Sequence, residues 1–209
     1  MSIFRQSVLS TAYFPPVEYF FAIAQSETVL IEQHEYYQKQ SYRTRCNILP
    51  AGGSESLSVH ILKEGNHSRP IRDIRLDYSD PWVVRHERAM AAAYNSSPFF
   101  EYYKDDFFDI LESKPEFLFD LNLRLLEKSL ELIGLKAEIS LTESYLSIYP
   151  DNDFRERIHP KYKGESLMAE YKMEKPYFQV FSNKSGFIPN LSILDLLCAE
   201  GPNAISFLL

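Results

Sequence analysis

Between Gln6 and Gln33 the chain reads as strand, helix, strand, and this order constrains the fold more than any other stretch. Gln6 to Ala12 has the pattern of a strand. Pro15 suits the first turn of a helix running to about Ala24, because the N–H that proline lacks would be unpaired there anyway. Thr28 to Gln33 then returns as a second strand. Two strands joined by a helix in so short a span run parallel, so a βαβ unit is expected at the N-terminus.

The segments Arg43 to Leu49, Leu57 to Leu62 and Ile74 to Tyr78 alternate in polarity. In the second, Leu57, Val59 and Ile61 share one face while Ser58, His60 and Leu62 take the other, the pattern of a half-buried sheet. Ala51-Gly-Gly-Ser54 reads as a hairpin connection. From Pro81 the period changes. Ser79-Asp80-Pro81 is a cap followed by proline and opens an alanine-rich helix to Tyr94. Ser97-Pro98 opens a second helix to about Leu111. Lys114-Pro115 opens a third that stops at Gly134, with Leu118, Leu121, Leu125 and Leu132 at core-facing spacing.

After Gly134 a short strand is expected over Ala137 to Leu141. Ser147 to Lys175 is polar and poorly periodic, which predicts a mobile lid or binding loop. A strand is expected from Tyr177 to Phe181, and Asn190 is expected to cap a last helix from Leu191 to Ala199. The predicted architecture is α/β: a single domain over residues 1–209, with a mixed β-sheet, packed helices, an N-terminal βαβ unit and a helical middle region. A ligand cleft is expected at the carboxyl ends of the first strands.

Composition narrows the function. The formal net charge of -7 argues against nucleic acid or an anionic membrane surface as a general partner. There is no leader-like N-terminus and no apolar run near the length of a membrane span. Cys46 and Cys198 lack the spacing of a zinc or redox motif, so a cytoplasmic protein with free thiols is expected. Cys198 falls in an apolar helical pattern and reads as packing rather than as a nucleophile.

Chemistry-bearing residues concentrate in three stretches. Near the end, Gln179, Asn190, Ser192 and Asp195 interrupt an otherwise core-forming run. Ser192 and Asp195 share a helix face and read either as a structural network or as partners for sugar hydroxyls. Arg43 and Arg45 lie two apart on a predicted strand, where with Lys39 they could clamp a phosphate or carboxylate near the N-terminus of the first helix. The alternative is a solvated strand face with ion pairs to Glu32 or Glu35. His86, four residues after Trp82 and near Arg85 and Arg88, is the first candidate general base, set against a packed helical histidine. His159 ranks second and His34 is a further candidate. No metal is expected, since no helical histidine spacing of a metal site occurs. Gly-x-Ser-x-Gly, Gly-x-x-x-x-Gly-Lys and Gly-x-Gly-x-x-Gly motifs are absent.

Tyr13-Phe-Pro, Lys39 with Arg45, Trp82 with His86 and Tyr94, Ile158-His-Pro-Lys161, Pro176-Tyr-Phe-Gln179 and the Phe187 to Leu197 run resemble, in this order, the WbqC-like family of bacterial proteins. The chain departs from the family pattern at Thr44 and Ala199, where asparagine is favoured. Members of that family occur among O-antigen and other surface-polysaccharide biosynthesis genes, so the resemblance implies a cytoplasmic role in making or modifying a surface sugar. The reading favoured is a transferase acting on a sugar precursor. Arg43, Arg45 and Lys39 would hold an anionic sugar or nucleotide-sugar ligand, His86 would be the base, and Tyr13, His159, Gln179, Asn190, Ser192 and Asp195 would complete the site. The competing reading is a non-catalytic protein that binds a sugar intermediate or scaffolds other pathway enzymes. No cofactor is named by any motif.

Overall fold

The computed structural model describes residues 2–62 and 69–209. β1 (Phe4–Ser10), α1 (Val17–Ala24) and β2 (Ser26–Glu32) form the expected βαβ unit, the two strands parallel and in register from Phe4 opposite Ser26 to Ser10 opposite Glu32. β3 (Arg45–Ile48) and β4 (Glu55–Ser58) make a separate antiparallel pair. α2 (Trp82–Tyr94), α3 (Phe100–Glu112) and α4 (Leu118–Ile133) supply the helical middle. β5 (Glu138–Leu141) and β6 (Asn152–Asp153) return to the first sheet, whose order is β5-β2-β1-β6 with every pair parallel. Parallel and antiparallel pairing thus occur in two sheets rather than within one. The buried side chains form one continuous core from Phe4 to Leu208. Among the described residues no helix is long and apolar enough to cross a membrane.

α1 is apolar nearly all round, and every residue from Val17 to Ile23 is buried, as such a helix requires. β1 and β2 lie against it, and so do two later helices, α5 (Leu167–Glu170) and α7 (Ile193–Glu200). Its first turn is closed from far away in sequence. Val17 N–H donates to the Leu191 carbonyl at 3.0 Å and Glu18 N–H to Asn190 Oδ1 at 3.0 Å. Asn190 Nδ2 donates back to Glu18 Oε1 at 2.6 Å, and the other carboxylate oxygen of Glu18 accepts from Leu167 N–H.

Asn190 therefore caps the first helix and not the last. Its φ of 55°, a left-handed value that asparagine tolerates, aims the side chain at α1. α7 is capped instead by Ser192, whose Oγ accepts from Leu194 N–H. Gly134, at φ 73°, stops α4 in the left-handed conformation expected of it. Leu118, Leu121 and Leu125 are buried, while Leu132 is only partly so.

Three predicted elements are corrected. Ile74 to Tyr78 is not a regular strand. It is held by single bridges, Ile61 to Leu76 and Arg75 to Phe117, because it threads between two neighbours that do not continue as a sheet. Tyr177 to Phe181 is not a strand either. The Gln179 amide takes the ladder's place, donating to the Ile188 carbonyl at 2.8 Å and accepting from Ile188 N–H at 2.9 Å. The Ser147 to Lys175 stretch is no free lid. It contains β6 and α5 and buries Phe154, Ile158, Leu167 and Met168 in the core. The chain then passes through α6 (Ser182–Ser185) to α7 and a closing 3-10 turn, Gly201–Phe207.

Replacing Asn190 by Ala strands Glu18 N–H and loosens a buried carboxylate, so a loss of about 1–3 kcal/mol is expected in urea unfolding. A variant as stable as the parent would show that the cap contributes nothing to the fold.

Candidate functional site

From β1 the sheet grows through β2 to β5 on one side, and then β6 is added on the other. The reversal puts a topological switch point between the carboxyl ends of β1 and β6, where open sheets usually receive ligands. Here that crevice is occupied by the protein's own ions. Arg43 is 1% exposed. Its Nε donates to Glu35 Oε1 at 2.8 Å and its Nη2 to Glu35 Oε2 at 2.5 Å and Ser10 Oγ at 2.8 Å. The planar guanidinium meets the carboxylate with two parallel bonds, the arrangement that best repays desolvation. Only about 10 Å³ stays open beneath it, between Ser10, Arg43 and Phe154. Arg43 lies before β3, and its donors are committed to Glu35, so it does not stand beside Arg45 on a strand face. Of the two alternatives, the ion pair to Glu35 is what forms, but it is buried and not solvated.

The first turn of α1 is equally unavailable to an anion, since Asn190 and Leu191 take its N–H groups. Beside the crevice, buried Glu32 collects Thr142 Oγ1 at 2.9 Å, His34 N–H at 2.7 Å and Arg155 Nη1 at 3.3 Å. The His34 ring bonds the Thr142 carbonyl at 3.0 Å, which ties this histidine to the end of β5.

The open space lies further out. A groove of about 750 Å³ is lined by the loop carrying Tyr37, Lys39 and Gln40, by Arg45 and Ser58 as cross-strand neighbours, and by His60, Asp77 and Asp80. Alternation explains its polar floor: Cys46, Leu57 and Val59 point into the core, so Arg45, Ser58 and His60 point away from it. Arg45 Nε is buried without a hydrogen-bond partner. His60 Nδ1 lies 3.8 Å from Asp80 Oδ2, and Asp80 also pairs with Arg85. Asp80, expected as a helix cap, makes no side-chain bond to the start of α2. The volume suits a small-molecule ligand.

His86 stands behind this groove. It is buried, Trp82 packs its edge against it, and its Nδ1 is 2.9 Å from the hydroxyl of the fully buried Tyr13. The Ser58 carbonyl lies beside the ring without closing a well-formed hydrogen bond. Burial, with His60 and Arg85 adding to it, lowers the His86 pKa to about 4. The ring is neutral at pH 7, and its Nδ1 is taken up by Tyr13. Tyr13 is fixed by the turn that follows it, where Phe14 takes a φ of 40° while burying its ring in the core. His159, half-buried, accepts Lys161 N–H on Nδ1 at 3.1 Å. Burial lowers its pKa, and the cations of Arg43, Lys161 and Arg45 act in the same direction.

The C-terminal polar set forms another cluster. Asp195 Oδ2 accepts from Tyr177 Oη at 2.8 Å and Gln179 Nε2 at 2.7 Å. The Tyr94 hydroxyl faces the same carboxylate without closing a well-formed hydrogen bond. Burial raises the Asp195 pKa to about 6 against the opposing effect of these donors. Gln179 and Asp195 line none of the described cavities. Asn190 borders a void of only about 10 Å³. Ser192 joins the α1 end to β3, its N–H donating to the Asn47 carbonyl. Of the residues the sequence singled out, the structure brings Lys39 and Arg45 together on the groove, Tyr13 and His86 together behind it, and Gln179 and Asp195 together in the core.

The model of the WbqC-like protein family matches residues 11–159. The chain belongs to this family. No curated protein and no solved structure is significantly similar to it. The WbqC-like match spans the Tyr13 turn, the Arg43–Glu35 pair, the groove and β6, and ends before the Asp195 cluster. Sequence reasoning missed His60, Asp77 and Asp80. The one available signal was the polar face of the alternating Leu57 to Leu62 segment, which places His60 beside Ser58.

The buried acid and the buried base act oppositely on stability. Folded Asp195 keeps a proton up to about pH 6 that the unfolded chain has lost, so its contribution falls as pH rises from about 4 to 6. Folded His86 refuses a proton that the unfolded chain takes below about 6.5, so its contribution rises over nearly the same window. Relative to the parent, Asp195→Asn should therefore lose stability on acidification from about pH 6 to 4, and His86→Gln should gain it. Urea midpoints at a series of pH values measure both slopes, and parallel curves for parent and variants would contradict the assignment.

Proposed function

We propose that this WbqC-like protein is a cytoplasmic transferase of bacterial surface-polysaccharide biosynthesis, which holds an anionic sugar precursor, a sugar phosphate or nucleotide sugar, in the 750 Å³ groove. The observation that carries the reading is Arg45, a guanidinium on the groove wall that no carboxylate among the described residues pairs with, while Lys39 lines the same groove. A cation without a counter-ion favours an anionic ligand, and a phosphate meets a guanidinium with two parallel bonds. The polysaccharide setting rests on the family resemblance.

In this reading Lys39 and Arg45 neutralise the negative charge that collects on the departing phosphate oxygen. His60, exposed to the groove with Asp80 on its Nδ1 side, takes the proton of the attacking group. His86 and Tyr13, bonded to each other, act from behind as positioning residues for the groove wall. One observation favours the non-catalytic alternative, a carrier or scaffold for a sugar intermediate: the histidine that the sequence points to first is sealed, with its Nδ1 taken up by Tyr13.

Uridine diphosphate serves as the anionic probe. It should raise the melting temperature of the parent protein, because a ligand that binds only the native state stabilises it. Arg45→Ala and Arg45→Lys should both weaken binding, by about 10–100-fold for the loss of a charged bidentate contact. Equal affinity in Arg45→Lys would return the residue to a solvated strand face. Once an acceptor is in hand, His60→Gln should keep probe binding and lower turnover by about a hundredfold. Binding with no turnover in either protein would favour the carrier.

A further inference from the structure

A second cavity, of about 380 Å³, is lined by residues 35–38 on one side and by Tyr145, Ser147 and the end of β6 on the other. Tyr37 borders both it and the larger groove. Its walls differ in kind from those of its neighbour. Tyr36 and Tyr145, 60% and 51% exposed, contribute aromatic faces, and Asp153, Glu156 and Gln38 contribute hydrogen-bonding groups.

Tyr145 is held in place. Arg155 lies over the Tyr145 ring at 5.4 Å and the Tyr149 ring at 4.8 Å. The guanidinium is itself fixed, with Nε and Nη2 on the Asp153 carboxylate at 2.9 and 2.6 Å and Nη1 on buried Glu32. On the opposite wall the backbone at Tyr36 bridges to Pro70, and Ile71 N–H donates to the Glu35 carbonyl at 2.7 Å. Glu156 is exposed and steadied by the Gln38 amide at 2.9 Å. The charges facing the space are acidic or already paired, so a phosphate is disfavoured here, whereas hydroxyl groups would find carboxylate and amide partners.

A pair of exposed tyrosines flanked by carboxylate acceptors has the chemistry of pyranose recognition. The C–H face of the ring is weakly positive and apolar and lies on the negative face of a tyrosine, while the hydroxyls around its rim donate to carboxylates. We infer that the cavity between Tyr36 and Tyr145 is a binding site for an uncharged saccharide, with Tyr37 bordering both it and the anionic groove. Given the transferase reading above, on which this assignment of direction rests, the saccharide is the acceptor and its reactive hydroxyl meets the donor across the Tyr37 ridge.

Saturation-transfer NMR with methyl glycosides of glucose, mannose and galactose at millimolar concentration tests the site without knowledge of the natural substrate. At least one glycoside should receive saturation at its ring C–H protons. Tyr145→Ala should weaken that binding about tenfold and Tyr36→Ala should reduce it. Both side chains are exposed, so the variants should keep the parent's circular dichroism and its binding of uridine diphosphate. Saturating uridine diphosphate should leave the glycoside signal in place. No transfer from any of the three glycosides, or transfer unchanged in both tyrosine variants, overturns the saccharide site. Because uridine diphosphate binding is read on the same samples, loss of the anionic groove reading would register separately.

Discussion

The arrangement of this molecule turns on a guanidinium placed out of water. Arg43 sits at the reversal point of the sheet, where a crevice between β1 and β6 would otherwise stand open. Glu35 and Ser10 meet its donors, and Asn122 accounts for its backbone carbonyl at 2.9 Å. Removing either ion alone would leave the other buried and unpaired, which costs far more than the pair itself contributes. The pair thus fixes the 35–43 loop against the sheet, and that loop supplies Tyr36, Tyr37, Lys39 and Gln40 to the two cavities beside it. The usual ligand position of the fold is filled, and open space is displaced to either side of the plug.

Much of the framework was legible because it follows from local pattern. The βαβ unit, the Trp82–Tyr94 helix and the Gly134 stop each rest on neighbours within a few turns of the chain. Elements that depend on a remote partner were read wrongly. Tyr177 to Phe181 has strand-like alternation, but the Gln179 side chain, rather than a strand, meets Ile188. β6 has only Asn152 and Asp153, too short to give a period, and it exists because β1 offers an open edge.

The candidate site was legible in part for the same reason. Lys39 and Arg45 could be found from charge and spacing, but nothing in sequence separates Arg45, on the groove, from Arg43, two residues away and sealed. Burial decides between them, and burial here is set by Glu35 and Ser10, which arrive from other elements. His86 was singled out by chemistry it could perform in water; packing by Tyr13 and Trp82 removes that chemistry and leaves a neutral strut. His60 does face open space, but one histidine on the polar face of a short alternating segment carries no signal until Asp80 and Arg45 are folded around it.

The contact between Asn190 and Glu18 joins residues 172 positions apart, and with it α1 is completed by a segment synthesised long after it. On a ribosome adding about 5–20 residues per second, α1 would wait on the order of ten seconds or more, its apolar surface without its final cover and its first N–H groups open to water. Such distant closure also slows folding in free solution, since the entropy of the long loop must be lost before the contact gives anything back. The βαβ unit that is simplest to recognise therefore becomes fully native only after the remote Asn190 segment has docked, and removing that segment would disturb the N-terminal unit.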